Sequence, residues 1–228
     1  MSTVGGGWAG PKIVNDGLVL NLDASSPNSY NSFFSTTVWK DISNNGNSGT
    51  LTNGPVFNSA NGGSIVFDGV DDYVDIGTKS TLQPQSITLS VWFKISNNVP
   101  VGTLLRNRTY GWGINVSGST VNSNIYTSVS NQITATPANI STGSYSNITV
   151  TYSNSTYYQY LNGTQTYTTS SATNSIYYTT NYIGIGRDAN AASSFFIGNI
   201  GQVLIYNKAL TAAEVLKNYN ATKTRFGL

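Results

Sequence analysis

Histidine and cysteine are both absent from the 228 residues of this sequence. Without histidine, the chain lacks the commonest general base and the commonest zinc ligand of proteins. Without cysteine, it has neither disulfides nor thiolate metal sites, and its redox compartment stays undetermined. A serine nucleophile activated by histidine is excluded as well. These two absences remove most of the common catalytic arrangements.

Charged residues are scarce. They make up 9% of the chain and leave a net charge of +2, whereas an average soluble domain has about 25%. No basic run is present, so we predict no binding of nucleic acid or of acidic membranes. No apolar run approaches the ~20 residues of a membrane span, and Met1–Pro11 lacks the charged and apolar regions of a signal peptide. The sequence predicts neither membrane insertion nor a signal peptide.

The chain is rich in Asn, Ser, Thr, Gly and Tyr, which suit strands and turns better than helices. Hydrophobic residues reach 39%, enough to form a core. Ser86–Ile95 alternates apolar and polar residues as a strand does, and Asn162-Gly163 is a hairpin signal. Thr211 and Glu214 form a capping box that begins one short helix. The sequence therefore predicts an all-β, two-sheet sandwich with a C-terminal helix.

No segment of distinct composition divides the chain, and its length is common for a single β-sandwich. We predict a Gly-rich N-terminal arm at residues 1–16, one sandwich domain at residues 17–220 and a C-terminal tail at residues 221–228. In the predicted helix, Val215, Leu216 and Tyr219 share one side.

An acidic corner lies within Gly63–Ile76, which holds four of the nine acidic residues: Asp68, Asp71, Asp72 and Asp75. Ile65–Phe67 and Tyr73–Ile76 are β-prone runs, and Asp68-Gly69 between them is a turn signal. The local pattern predicts a hairpin whose tight turn is acidic. Such a corner is either a cation site or a solvated turn.

Four segments carry a family resemblance: Trp39–Asp41, FDGVDDYV (Phe67–Val74), SITLSVWFK (Ser86–Lys94) and GNIGQVLIYNKALTAAEV (Gly198–Val215). Together they resemble the laminin-G/pentraxin-like branch of the concanavalin A-like lectin/glucanase superfamily, over roughly Gly17–Tyr219. This resemblance implies a jelly-roll sandwich of two curved antiparallel sheets. The segments GPKIVNDGLVLNLDA and NYNATKTRFGL are similar to domains found on tailed phages, especially phages of marine bacteria, which implies display on a virion.

The superfamily contains glycoside hydrolases, so the carboxylates decide whether catalysis is expected. Retaining glycosidases need two carboxylates about 5–5.5 Å apart, and their motif in this family places acidic residues at alternate positions. The only glutamate, Glu214, belongs to the helix cap, and Asp188 is the only aspartate after Tyr110. We predict that the protein is not an enzyme.

Calcium is the cofactor that the resemblance suggests. Relatives bind it with a carbonyl near the glycine of the F-D-G corner and an aspartate in a late strand. In this sequence Gly201 stands where that aspartate is expected. We therefore predict no metal and no cofactor, and the alternative is a calcium site built differently, from Asp71 and Asp72.

A saccharide site combines an aromatic face with Asn, Asp or Arg side chains that bond hydroxyl groups. Such residues concentrate at one strand junction: Arg106, Arg108, Tyr110, Trp112 and Asn115, with Tyr126 as a neighbour. These are the candidate carbohydrate-binding residues. For Tyr110 and Trp112 we favour the competing interpretation, that they are ordinary sandwich packing.

The leading functional hypothesis is a non-enzymatic phage virion protein, a capsid decoration, head-fibre or tail-fibre subunit that presents a lectin-like domain on the particle surface. Its N-terminal arm or its C-terminal tail would dock to other virion proteins, and it would form a homo-oligomer. The alternative is a carbohydrate-binding adhesin that recognises host surface glycans. A glycoside hydrolase is the third hypothesis.

Overall fold

The computed structural model describes residues 12–34, 37–96, 99–107, 110–170, 175–179, 182–188 and 193–228. Two antiparallel sheets pack face to face, and one α-helix in these ranges, α1 (Ala212–Thr222), lies against one of them. The described strands, in chain order, are β1 (Leu18–Asp23), β2 (Val38–Trp39), β3 (Gly49–Thr52), β4 (Val56–Asn58), β5 (Ser64–Asp68), β6 (Tyr73–Thr78), β7 (Ile87–Ile95), β8 (Val99–Asn107), β9 (Trp112–Gly118), β10 (Thr120–Tyr126), β11 (Gln132–Thr134), β12 (Ala138–Asn139), β13 (Tyr145–Ser153), β14 (Thr156–Leu161), β15 (Thr164–Ser170), β16 (Tyr182–Ile185) and β17 (Ile197–Tyr206). The predicted all-β sandwich with a short C-terminal helix is confirmed.

The strand order mixes early and late parts of the chain. The eight-stranded sheet runs β15-β14-β13-β7-β17-β5-β4, with β1 paired to β17. The nine-stranded sheet runs β11-β10-β9-β8-β16-β6-β3-β2, with β12 paired to β10. Each sheet therefore brings together strands that are more than 100 residues apart, as β17 and β5 are.

The core lies between the two sheets, and β7 shows how the sequence builds it. Ile87, Leu89, Val91, Phe93 and Ile95 all point into the core and are fully buried. The other face of β7, with Thr88, Ser90 and Trp92, is buried too. It is buried because α1 and the chain end cover it.

Trp92 is the centre of this covering layer. Its ring stacks on Phe226 at 4.3 Å and on Tyr219 at 5.6 Å between centroids, and its Nε1 donates to Thr222 Oγ1 at 2.9 Å. Phe226 ends a 3₁₀ helix (Lys223–Phe226) that follows α1. The segments just outside the predicted domain therefore also pack on the sandwich. They are residues 12–16 before it and residues 223–226 after it.

The capping box of α1 is present as predicted. The Glu214 amide donates to Thr211 Oγ1 at 3.3 Å, and the Thr211 amide donates to Glu214 Oε2 at 2.8 Å. This amide of Thr211, with Lys208 nearby, lowers the pKa of Glu214. Val215 is buried, but Leu216, predicted on the same side, is 46% exposed.

Within the described ranges, no helix combines the length and apolar character that crossing a membrane requires.

The hairpin predicted at the acidic corner is wrong. β5 pairs with β17 and β4 in the eight-stranded sheet, whereas β6 pairs with β3 and β16 in the nine-stranded sheet. The corner carries the chain from one sheet to the other. It is closed by carboxylates: Asp72 Oδ2 accepts from the Asp68 amide at 3.0 Å, and Asp68 Oδ1 accepts from the Val70 amide at 2.8 Å. By contrast, the hairpin predicted at Asn162-Gly163 is confirmed between β14 and β15, with φ of 51° and 75°.

Candidate functional site

The candidate site lies on the outer face of the nine-stranded sheet, across β8, β9 and β10. On β10, Val121, Ser123 and Ile125 point inwards and are buried, so the alternating residues Asn122, Asn124 and Tyr126 lie on the outer face. β9 pairs with β10 so that Gly113 is opposite Asn124 and Asn115 is opposite Asn122. Alternation and pairing together place one continuous row of polar side chains on this face.

Trp112 is not part of this face. It is 1% exposed and belongs to the core cluster, so it cannot stack on a ligand, and the packing interpretation holds for it. Its predicted companions Arg106, Asn115 and Tyr126 lie on the outer face, and Tyr110 is half-buried beside Tyr126. Arg108 lies outside the described residues.

Three tyrosines form an aromatic wall at one end of the face. Tyr110 meets Tyr126 edge to face, with ring centroids 5.3 Å apart, and meets Tyr177 in the same way at 5.2 Å. The Tyr177 amide donates to the Tyr126 carbonyl at 2.8 Å, which fixes the two backbones together. All three side chains are half-buried. We call Tyr110, Tyr126 and Tyr177 the tyrosine cluster.

Polar groups converge beside the cluster, around Gly113. A Cβ atom on Gly113 would lie 3.0 Å from Arg106 Nη1 and 3.0 Å from Asn124 Oδ1, so both side chains close in on the space above this glycine. Arg106 Nε lies 3.4 Å from Asp188 Oδ2. The Nδ2 of Asn124 is buried and has no hydrogen-bond partner. A buried amide left unpaired costs about 1–3 kcal/mol, so this group is suited to a ligand acceptor.

Asn115 lies one step along the same face. Its Oδ1 accepts from Thr103 Oγ1 at 3.1 Å, which orients the amide.

Sequence reasoning missed Asn124 and Tyr177. The alternation Val121-Asn122-Ser123-Asn124-Ile125-Tyr126 could have identified Asn124, because Tyr126 shares its face. Tyr177 carried no such signal, since only the fold brings its segment to β10.

Further along the sheet, an arginine packs between tyrosines. The Arg187 guanidinium lies 3.4 Å from the centroid of the Tyr73 ring, and its Nη2 donates to the Tyr182 hydroxyl at 2.9 Å. Burial, together with the neighbouring Asp75 carboxylate, raises the pKa of Tyr182 to about 12. Asp75 also accepts from the Gly77 amide at 2.6 Å. The carboxylates Asp75 and Asp188 are therefore both engaged by neighbouring groups.

The calcium site that the family resemblance implies does not fit these residues. At Gly201, a Cβ atom would lie 2.5 Å from the Phe226 ring, so an aspartate is excluded there by the packed chain end. At the acidic corner, carboxylate oxygens of Asp68, Asp71 and Asp72 lie within 4.8 Å of one another. Those of Asp68 and Asp72 are already bonded to turn amides. The carboxylates of Asp68 and Asp72 therefore close the turn, and a calcium site built from Asp71 and Asp72 stays a prediction.

The acidic corner makes stability depend on pH. The Val70 amide lowers the pKa of Asp68, whereas burial, and then the charges of Asp68 and Asp71, raise the pKa of Asp72. Because a raised pKa means that the folded state holds the proton more tightly, the contribution of Asp72 is favourable at low pH. It is lost as pH rises through the folded-state pKa.

We expect Asp72→Asn to stabilise the protein at pH 7 and to have little effect below about pH 3, where Asp72 is protonated in both states. Thermal unfolding of both proteins between about pH 3 and pH 7 measures the difference in Tm. At each pH, the Tm of the wild type is subtracted from that of the variant. A difference that is smaller at pH 7 than at pH 3 would contradict the expectation. The amide Oδ1 of the variant can still accept from the Asp68 amide.

The fold is that of a lectin-like β-sandwich. The family model described as the concanavalin A-like lectin/glucanases superfamily matches residues 68–216, more than half of the chain. The chain belongs to this superfamily, as the motifs predicted. No curated protein sequence matches the chain.

Solved structures of binding domains share the fold. The binding domain of Paraclostridial Mosquitocidal Protein 1 is similar with a TM-score of 0.73 and 16% identity, over 90% of this chain and 52% of that one. The botulinum neurotoxin serotype D binding domain is similar with a TM-score of 0.71 and 15% identity, over 90% and 52% of the two chains. The chain thus spans about half the length of these domains, and the likeness concerns the fold.

Proposed function

We propose that this chain is a non-enzymatic recognition domain that binds surface glycans on the outer face of its nine-stranded sheet. The observation that carries the proposal is the arrangement around Gly113, where Arg106 and Asn124 flank a glycine beside the tyrosine cluster. Tyrosine rings offer apolar faces to sugar rings, and guanidinium and amide groups bond hydroxyl groups. The unpartnered Nδ2 of Asn124 supplies a donor.

The rest of the fold supports this choice of face. Within the described ranges, α1 and the chain end cover part of the outer face of the eight-stranded sheet. Among the similar structures, the botulinum neurotoxin DC binding domain occurs in complex with SialylT and, separately, with rat synaptotagmin II. A binding role for this sandwich is in keeping with those complexes.

The proposal includes neither catalysis nor a cofactor. A retaining glycosidase needs a pair of carboxylates that can attack and protonate the substrate. On this face Asp188 is paired with Arg106, and Asp75 is held by the Gly77 amide. Both carboxylates therefore serve to position neighbouring groups.

We place the domain on the surface of a tailed-phage particle, as a capsid decoration, head-fibre or tail-fibre subunit that forms homo-oligomers. The support is the similarity of GPKIVNDGLVLNLDA and NYNATKTRFGL to phage domains. Mass spectrometry of purified particles tests the location. Particles that lack the protein would overturn the virion role and leave the glycan site to be judged separately.

Tyr126→Ala should weaken glycan binding about tenfold, because it removes one ring of the tyrosine cluster and opens the contact with Tyr110. Asn124→Ala should weaken it by a similar factor, since it removes the unpartnered donor. A glycan array identifies the saccharide with the strongest signal, and isothermal titration calorimetry with that saccharide measures the affinity of each variant.

The matched control is Tyr158→Ala, which removes a half-buried tyrosine from the eight-stranded sheet. Its affinity should equal that of the wild type. Absence of binding to every saccharide on the array would reject the glycan role. Equal losses in Tyr126→Ala and Tyr158→Ala would reject this face as the site.

A further inference from the structure

A cavity lined mostly by polar residues lies on the opposite side of the sandwich from the proposed glycan face, on the outer face of the eight-stranded sheet. It has a volume of about 370 Å³ and is bounded by β1, β17 and the chain end after α1. The residues used below are Lys12, Asn21, Asp23, Gln202, Thr222 and Arg225, all of which line it. None of them belongs to the proposed glycan face.

Three of these residues carry buried polar atoms that have no hydrogen-bond partner. Gln202 is 3% exposed; its Nε2 donates to Asp23 Oδ2 at 3.1 Å, which leaves Oε1 unpaired. Because the carboxylate fixes the orientation of this amide, the unpaired atom is the oxygen. Asn21 is also buried, and its Oδ1 is unpaired.

Arg225 presents the complementary groups. Its Nη1 donates to Asp23 Oδ1 at 2.7 Å and to Ser25 Oγ, and its guanidinium lies 4.2 Å from the centroid of the Phe226 ring. These contacts hold the side chain in place, while Nε and Nη2 remain buried and unpaired. Nε and Nη2 form one edge of the guanidinium, with two parallel N–H groups that match a carboxylate.

The unpaired atoms define the chemistry of a ligand. The Arg225 edge matches a planar oxyanion, and the oxygens of Gln202 and Asn21 can accept from hydroxyl or N–H donors, of which a sugar supplies the hydroxyls. Asp23 balances the charge of Arg225, so exposed Lys12 supplies the cation that a carboxylate needs. We propose that this cavity binds one residue of a sugar acid, a small hydroxylated carboxylate of the uronate class. The volume suits a single such unit.

Titration of the full chain with sodium glucuronate tests the proposal, with glucose and acetate as comparison ligands. Glucose lacks the carboxylate and acetate lacks the hydroxyls, so each should bind at least tenfold more weakly. Two-dimensional NMR of the wild type should show a saturable shift of the Gln202 side-chain amide with glucuronate. No saturable shift up to about 10 mM, well above a 1 mM dissociation constant, would overturn the proposal, as would equal binding of glucose.

Variants separate this cavity from the glycan face. Lys12→Gln should weaken glucuronate binding severalfold, whereas Lys40→Gln, the same change at an exposed lysine outside the cavity, should not. Arg225→Lys keeps the charge but loses the bidentate pair of N–H donors, Nε and Nη2. It should weaken glucuronate binding at least tenfold. Tyr126→Ala should leave it unchanged. Equal affinities of Lys12→Gln and Lys40→Gln would overturn the assignment of the site.

Discussion

Replacing Trp92 with alanine should lower the free energy of unfolding by about 3–5 kcal/mol, the range for truncating a buried tryptophan. Trp92 is 2% exposed and holds the chain end through its stacking on Phe226 and Tyr219 and its hydrogen bond to Thr222. The substitution leaves a cavity beneath α1 and removes the surface on which Phe226 packs. Urea unfolding followed by far-UV circular dichroism measures the loss.

Leu216→Ala is the control for this prediction, because Leu216 lies on α1 but is 46% exposed. It should cost less than about 1 kcal/mol. Trp92→Phe should fall between the two, since it keeps a ring in place but loses the bond to Thr222. A loss below 1 kcal/mol for Trp92→Ala would show that the covering layer is not coupled to the sandwich.

Asp41→Asn should cost about 3 kcal/mol, because the Asp41 carboxylate is the buried acceptor that fixes a loop. Its Oδ1 accepts from the Asn21 amide at 2.9 Å and the Ser43 amide at 2.8 Å. Its Oδ2 accepts from the Asn47 amide and from Ser43 Oγ, both at 2.9 Å. An asparagine turns one of these oxygens into an NH₂ group, which faces donors and leaves them unpaired.

The comparison is Asp71→Asn, the same chemical change at an exposed carboxylate. It should alter stability by no more than about 0.5 kcal/mol. Unfolding of both variants at pH 7 gives the difference directly. If the two variants lost the same amount of stability, the bonds of Asp41 would not carry the loop.

The elements that the sequence predicts correctly are those whose determinants are close together in the chain. The alternation of β7, the turn at Asn162-Gly163 and the capping box of Thr211 and Glu214 each depend on fewer than ten residues. Local propensity and hydrogen bonding decide them, and the fold has no reason to override them.

The acidic corner shows what such patterns leave out. Asp68-Gly69 is a turn, as predicted, but its sequence cannot show that β5 pairs with β17, about 130 residues further along the chain. The choice between a hairpin and a crossing between sheets is decided by those distant partners. The same limit applies to Gly201, whose small size is required by Phe226 rather than by any metal.

Part of the candidate site could be predicted from the sequence. Arg106, Tyr110, Asn115 and Tyr126 lie on or beside one face because strand alternation places them there. Trp112 lies in the core, as the packing interpretation has it, because an aromatic residue in a strand faces the core or the solvent depending on its register. The cavity proposed to bind a sugar acid could not be predicted, because it brings Asn21 together with Gln202 and Arg225, which are about 180–200 residues away in the sequence.

Both ends of the described chain are fastened on one side of the sandwich. The Val14 amide donates to Asn218 Oδ1 at 2.8 Å, the Val14 carbonyl accepts from the Tyr206 hydroxyl at 2.9 Å, and Phe226 is seated on Trp92. In the display role that we propose, this side of the sandwich would face the particle. A support joined through either end leaves the tyrosine cluster directed away from it. Copies mounted side by side would present their faces in a parallel array, in which modest single contacts add up to strong avidity.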